Sequence, residues 1–472
     1  MTKSVLWNVD WILRATGGHV LAGPPGIRDV DFPKISTDSR TIGADEIFVP
    51  LDGPQFDGHD YISDAVQKGA SCVLVRRGFP VHDVLAQSAV FIEVDDTLKA
   101  LGDLAHAHRM AHGIPVVAIT GSTGKTTTKD MLGEILMHHY AGDVLVTAGN
   151  FNNLIGLPLT VFGLRSRHRA AVLEMGMNMR GEIRRLAEIA RPEIGIITNV
   201  SEAHMEHLQS IGAIAQAKRE LLENFGADKI AVLNADDERV AAMAGAGAFR
   251  AVTFGVDHPA DATAENITAL GFDGIRFLLR IGGETAEVTL SCVGRHNVMN
   301  ALAAALAASE LRAPMSAIVA GLEAFRSPAM RMRILDVLRV KVLDDSYNAN
   351  PKSMDAALAT LKELAEGGRQ IVVVGDMKEL GPESPAAHRR LGRHAAKNGA
   401  AYLFALGDFA EEVVAGAREE GMAGDRAIAA ENHEAIVETL RDLVKRGDVV
   451  LVKGSRAVRM DCVVRGLKGE MY

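Results

Sequence analysis

Short apolar runs alternating with helix-like stretches set the rhythm of this chain. PVVAIT (residues 115–120) is a β-branched run, followed by a glycine-rich turn and a helical pattern, TTTKDMLGEILMHHY. Further runs follow at AAVLEM, EIGIITNV and KIAVLN, each separated from the next by helical sequence. Continuous apolar runs of this length fit strands buried on both faces, and the alternation predicts a parallel sheet covered by helices. After SPAMRMR the rhythm restarts with VKVLDDS, RQIVVVGDM, AAYLFALG and DVVLVKGS, which predicts a second, Rossmann-like doubly wound sheet. Before residue 113 short apolar runs mix with turn signals (AGPPG, LDGPQFDGHD) and close on a helical pattern from Asp95 to His112. The expected fold is therefore α/β with three domains: a small α/β domain over residues 1–112, a central phosphate-loop domain over 113–328 and a Rossmann-like domain over 329–472.

Length and charge narrow the picture. At 472 residues the chain exceeds what one hydrophobic core sustains. A formal net charge of −9, with no basic stripe interleaved with aromatics, argues against a nucleic-acid partner. No run of about 18 apolar residues is present, and Asp10 and Arg14 interrupt the amino terminus where a signal peptide needs an apolar core. A cytoplasmic location without membrane insertion is the expectation. Cys72, Cys292 and Cys462 are odd in number, far apart and set in apolar surroundings, so they are read as core residues.

The candidate chemistry starts at AITGSTGKTTTKD. Gly121, Gly124, Lys125 and Thr126 lie between a predicted strand and a predicted helix, where backbone N–H groups, the helix terminus and a lysine can hold phosphate and a threonine hydroxyl can meet magnesium. Ile119 stands where the longer GxxxxGK spacing needs glycine, so this is a compact GxxGKT loop. Glu174 ends a predicted strand on the side where open α/β sheets bind ligands, and a carboxylate there can bind Mg²⁺. His204 and His207 also follow a strand end, but they stand three residues apart and do not have the HExxH spacing of a zinc hydrolase. Lys218, on the next helix, carries no signal of its own.

Taken in order, GSTGKTT, NFNNLIGLPLT, EMGMNMRGEI, NVSEAHMEHL, AQAKREL, GRHNVMNALAA, DDSYNANPKSM, GDMKELG and KGSRAVRMD resemble the Mur ligases. DSR at 38–40 and FVPLDGPQFDGHDYISDAVQKGA extend the likeness into the amino-terminal domain. The resemblance implies ATP-dependent ligation through an acyl phosphate. DSYNANP, GDMKELG and KGSR are most similar to the branch that joins D-alanyl-D-alanine to UDP-N-acetylmuramoyl-tripeptide.

The same likeness implies residue roles. Gly121, Ser122, Thr123, Gly124, Lys125, Thr126 and Thr127 would bind ATP phosphates, with Thr126 and Glu174 holding one Mg²⁺. His204 would hold a second, beside Lys218 as a carbamate made with carbon dioxide. Asn297, Asn300 and Asp345 would meet adenosine, and Arg331, with Arg333 as the alternative, the γ-phosphate. Ser39, Arg40, Asp57, Gly58 and His59 would hold the UDP end. Asn150, Asn153, Asn348, Asn350, Lys453, Ser455 and Arg456 would line the remaining substrate path. The enzyme is expected to act as a monomer. The rivals are another Mur ligase or a folylpolyglutamate synthase, against both of which DSYNANP and the DGHD segment argue, and a protein that hydrolyses ATP only to change shape.

Overall fold

The computed structural model describes residues 7–53, 56–202 and 205–470. They fall into two compact units, one within residues 7–119, 143–177 and 181–195 and the other within residues 120–142, 178–180 and 196–470.

In the first unit a five-stranded sheet runs in the order His19–Ala22, Val90–Val94, Cys72–Arg76, Ile47–Phe48, Ile35–Ser36. Only the first pairing is antiparallel. The helix Thr97–Met110 starts where the Asp96 carboxylate accepts the Lys99 amide, and it buries Leu101, Leu104, Ala105 and His108. The His108 ring accepts the Trp7 indole N–H at 3.1 Å and lies edge-on to Trp7. Beyond this helix, Val116–Thr120 and Ala170–Glu174 pair in parallel, Ile119 opposite Glu174, with Val144–Val146 on the far side of Ala170–Glu174. Every residue of Val116–Thr120 and Ala170–Glu174 is buried, which is why these runs carry no polar alternation.

In the second unit Ile230–Asn234, Arg250–Gly255 and Ala262–Ala269 pair in parallel, then Ile275–Ile281 and Glu284–Leu290 add antiparallel strands. This antiparallel extension departs from the wholly parallel rhythm that the sequence suggests. Gly282 and Gly283, both at positive φ, make the two-residue turn between its last strands, a geometry that side-chain-bearing residues resist. The helices Arg295–Glu310 and Met315–Ala324 pack on Lys125–His139. At Gly321 the approach is so close that an added Cβ would lie 2.3 Å from the Ile135 Cα. Gly321→Ala is accordingly expected to destabilise the chain by about 1–3 kcal/mol, the usual range for overpacking; an unchanged urea midpoint would show that the helices can separate at no cost.

The unit's six-stranded sheet has the order Arg333–Val337, Val340–Asp345, Val449–Lys453, Gln370–Gly375, Ala400–Leu406, Ala427–Ala429, parallel except for its first pair. Leu343, Val372, Val374 and Leu451 face one core with Leu358, Leu391 and Val413. Val342, Ile371, Val373, Val450 and Val452 face the other with Val437, Leu440 and Val463. Helices thus cover both faces, the doubly wound arrangement expected, and ligands bind such sheets at the carboxyl ends of the strands. All three cysteines are buried thiols.

Candidate active site

The loop after Thr120 takes its shape from its glycines and from the segment Thr198–Ser201. Gly121 has φ +153 and Gly124 φ +82; a Cβ on Gly121 would fall 1.8 Å from the Thr198 hydroxyl, and one on Gly124 2.3 Å from the Asn300 amide oxygen. The Thr198 hydroxyl donates to the Thr123 carbonyl at 2.6 Å. The Asn199 side chain accepts from the Thr123 amide and hydroxyl, at 3.0 and 3.1 Å, and donates back to the Thr123 carbonyl at 3.1 Å. The Ser122 hydroxyl donates to the Ser201 carbonyl and accepts the Ser201 amide. Neither Thr198 nor Asn199 was a sequence candidate. Their only signal is position, at the end of the strand Ile194–Ile197.

Lys125 opens the helix Lys125–His139, and its ammonium donates to the Gly121 carbonyl at 2.8 Å, lying back over the loop. Thr126 is buried. The structure also brings Asn297 and Asn300 to this loop. Asn300 accepts from the Thr128 hydroxyl at 3.3 Å and donates to Asn297 at 3.1 Å, and Asn297 donates to the Val293 carbonyl at 2.7 Å. Lys218, on the helix Ile211–Arg219, is 1% exposed. Burial holds its amine well below the ordinary lysine range, and the charge of Lys125 pushes it further down. His204 lies outside the described residues.

In the first unit, Glu174 is 2% exposed. One carboxylate oxygen accepts the Asn152 side-chain amide at 2.7 Å, and the other is buried with no hydrogen-bond partner among the described residues. An anionic oxygen in that condition suits a hard cation with oxygen ligands, so the side chain fits the metal role expected of it. Asn150 is exposed, while the Asn153 side chain accepts the Ile155 and Gly156 amides where the helix Gly156–Val161 begins.

The amino-terminal candidates form two clusters. Arg40 makes a two-pronged pair with Asp38 at 2.9 and 2.8 Å, and its guanidinium draws the Asp38 carboxyl down to about 2. The Ser39 carbonyl accepts Lys68. Asp57, His59, Asp52 and Arg76 share a second network. Burial would raise the Asp57 carboxyl, but the His59 amide and the Arg76 guanidinium outweigh it and hold it low. Asp52, Asp57 and His59 are spaced closely enough to suggest a metal. However, His59 Nε2 accepts the Arg76 amide at 3.2 Å, so the proton sits on Nδ1, which donates to Asp57 at 2.9 Å. With both ring nitrogens committed and Arg76 supplying the cation, the cluster needs no ion. Gly58 is obligatory there, because a Cβ would lie 2.5 Å from the Leu51 amide nitrogen.

At the carboxyl ends of the six-stranded sheet three loops converge. Buried Lys453 pairs with Asp345 at 2.5 Å and donates to the Asn348 carbonyl at 2.9 Å. Asp345 also accepts the Met332 amide. The Ser455 hydroxyl accepts the Lys378 amide at 2.9 Å, and Lys378 bridges Asp376 and Asp408. Asn350 caps the helix Pro351–Leu364 in a reciprocal capping box with Ser353, and Arg456 pairs with Asp461. Arg331 stacks 4.0 Å from the centroid of Tyr347, whereas exposed Arg333 opens an edge strand. His296, absent from the sequence candidates, also belongs here: burial lowers its imidazole, Asp345 opposes that shift and Lys453 adds to it.

A Gly-Lys-Thr loop between a buried strand and a helix, clasped by the next strand end and joined to a doubly wound sheet, defines a phosphate-loop protein of the α/β class. Comparison with known proteins narrows this. Profiles of the Mur ligase family catalytic domain, the Mur ligase middle domain and the Mur ligase glutamate ligase domain match residues 32–109, 119–308 and 330–456. The chain belongs to the Mur ligase family. It is 32% identical over 99% of both chains to the UDP-N-acetylmuramoyl-tripeptide--D-alanyl-D-alanine ligase of Bacillus subtilis. To the enzyme of that name from Escherichia coli it is 35% identical over 93% of this chain and 94% of that one. Among solved structures it matches MurF from Acinetobacter baumannii with a TM-score of 0.90 at 30% identity, over 99% of both chains. MurF ligase from Thermotoga maritima, solved in complex with ADP, matches with a TM-score of 0.83 at 26% identity, over 93% of this chain and 97% of that one.

Proposed function

We infer that this chain is an ATP-dependent ligase that joins D-alanyl-D-alanine to UDP-N-acetylmuramoyl-tripeptide in peptidoglycan precursor synthesis. The observation that carries the reading is full-length likeness to ligases of that activity, at 32% identity over 99% of both chains. The tripeptide's terminal carboxylate attacks the γ-phosphate of ATP, ADP leaves, and the dipeptide amine displaces phosphate from the acyl phosphate. Two anions must meet in the first step, so positioned cations matter more than a covalent nucleophile.

The residue roles follow that need. Residues 121–127 cradle the phosphates, with the Lys125 ammonium on the transferring group. Arg331 meets the γ-phosphate. Asn297, Asn300 and Asp345 face adenosine, Asn300 also fixing the loop from behind. Thr126 and Glu174 would hold one Mg²⁺, and His204 and carbamylated Lys218 would serve a second. Held by these residues, Mg²⁺ would supply positive charge against the charge that develops on the transferring phosphoryl group. Ser39, Arg40, Asp57, Gly58 and His59 hold the UDP end, and Asn150, Asn153, Asn348, Asn350, Lys453, Ser455 and Arg456 line the path of the peptides. Domain borders near 112/113 and 328/329 divide this labour among UDP-substrate, ATP and dipeptide sides. The reading includes a cytoplasmic monomer; no helix among the described residues is long and apolar enough to cross a membrane.

The deciding assay measures ADP release with all three substrates and with each omitted in turn. Release is expected only with ATP, muramoyl-tripeptide and dipeptide together; full-rate release without the dipeptide would mean that ATP cleavage is not coupled to ligation.

A further inference from the structure

Asn152 sits between two asparagines expected on the substrate path, and it does something they do not. Its side-chain amide donates to one oxygen of Glu174 at 2.7 Å, leaving the other oxygen buried and without a hydrogen-bond partner among the described residues. We propose that Asn152 is a positioning residue that sets the Glu174 carboxylate for a divalent cation. The proposal rests on the reading of Glu174 as a cation ligand and adds the group that aims it.

The surroundings fix the amide as well as the acid. Asn152's own carbonyl accepts the Gly176 amide at 2.8 Å, and a Cβ on residue 176 would lie 2.9 Å from the Asn152 side-chain carbon. Gly176 therefore leaves room for this amide and little else. On the other side, the Glu174 amide donates to the Thr147 hydroxyl at 3.0 Å, which tethers the strand end. The terminal torsion of a glutamate is broad and close to two-fold, so packing alone does not select an orientation for its oxygens. A hydrogen bond to one oxygen does. The donor's chemistry matters equally: a lysine or arginine would cancel the carboxylate's charge, whereas a neutral amide satisfies one oxygen and leaves the full negative charge for a cation at the other. Partners of this kind orient metal ligands in general, and their removal weakens metal binding by about 10–100-fold.

The test uses the full chain with a non-hydrolysable ATP analogue and Mn²⁺ titrated by electron paramagnetic resonance. Asn152→Ala and the bulk-conserving Asn152→Leu are each expected to weaken Mn²⁺ by about 10–100-fold, with melting temperature and metal-free affinity for the analogue near parental. A merely structural asparagine would move those last two measurements instead. Glu174→Gln is measured alongside. If it leaves Mn²⁺ affinity within about twofold of the parent, the cation reading of Glu174 falls and this proposal falls with it. If Glu174→Gln weakens Mn²⁺ while the Asn152 variants stay within about twofold, only the role of Asn152 is overturned. Should Asn152→Ala fail to fold, Asn152→Leu decides by the same criterion.

Discussion

Lys125→Ala is expected to lower ligation by at least about 10²–10³-fold, some 3–4 kcal/mol of barrier, in a chain that still folds. The side chain stands at a loop, partly accessible, and its ammonium donates to the Gly121 carbonyl 2.8 Å away. The loop itself is held by Thr198 and Asn199, so removing the lysine leaves the cradle standing. What disappears is charge on the transferring phosphoryl group, needed more in the transition state than before it, and kcat should fall further than KM rises. A second effect acts in the same direction. Lys125 helps to depress the amine of Lys218, and without it that amine takes up a proton more readily. Adding bicarbonate should therefore restore little, because the missing phosphate contact remains missing. ADP-release kinetics together with a melting curve check the prediction; near-parental turnover in a folded variant would mean that the compact loop does not serve the phosphate.

The other large effect is expected at Lys218, which is 1% exposed. A protonated lysine beside Lys125 and the magnesium ions proposed for this site would be one cation among several, an unfavourable arrangement in surroundings of low dielectric. Carbon dioxide adds only to the neutral amine, and burial with the neighbouring Lys125 charge favours that neutral form. The sign of the shift is the one a carbamate requires: the folded-state value lies below the usual lysine range, so a neutral population exists at lower pH than for a solvated lysine. Addition turns the residue into a carboxylate on a long stem. Lys218→Ala should abolish ligation, and acetate or formate, entering the vacated space, should restore part of it. Lys218→Arg should not be rescued, because it keeps the positive charge and fills the space. Initial rates with and without added carboxylate decide the matter. An alanine variant within about threefold of the parent, less than roughly 1 kcal/mol of barrier, would return Lys218 to an ordinary helix lysine.

What was legible in the sequence was local in sequence. Strands buried on both faces, such as Val116–Thr120 and Val449–Lys453, announce themselves as continuous apolar runs. The strands Ile275–Ile281 and Glu284–Leu290 do not, because one face is solvated and residues such as Arg276, Arg280 and Glu287 interrupt every run. Their alternation and the Gly282–Gly283 turn carried the information instead. The phosphate loop was readable for the same reason as the buried strands, since its glycines, lysine and threonine are consecutive. By contrast, the clasp of Thr198 and Asn199 reaches back some 75 residues, and nothing in NFNN distinguishes Asn152 from its neighbours until the fold brings Glu174 to it. Asn153 and Asn350 show the opposite case: residues picked out by motif whose side chains also accept backbone amides at the start of a helix, so their presence serves the backbone as well as any substrate.

The clasp around Ser122 and Thr123 also bears on how quickly nucleotide is captured. A glycine-rich loop free in solvent would sample many shapes, and an arriving phosphate would have to wait for the right one or impose it. Here the strand end behind the loop has already removed that freedom during folding. Encounter thus becomes the slow event, and the association rate should follow the field of Lys125 and its neighbours, falling as ionic strength rises. Loosening the clasp, by Asn199→Ala for example, would convert a charge-steered association into one gated by the loop's own motion and largely indifferent to salt.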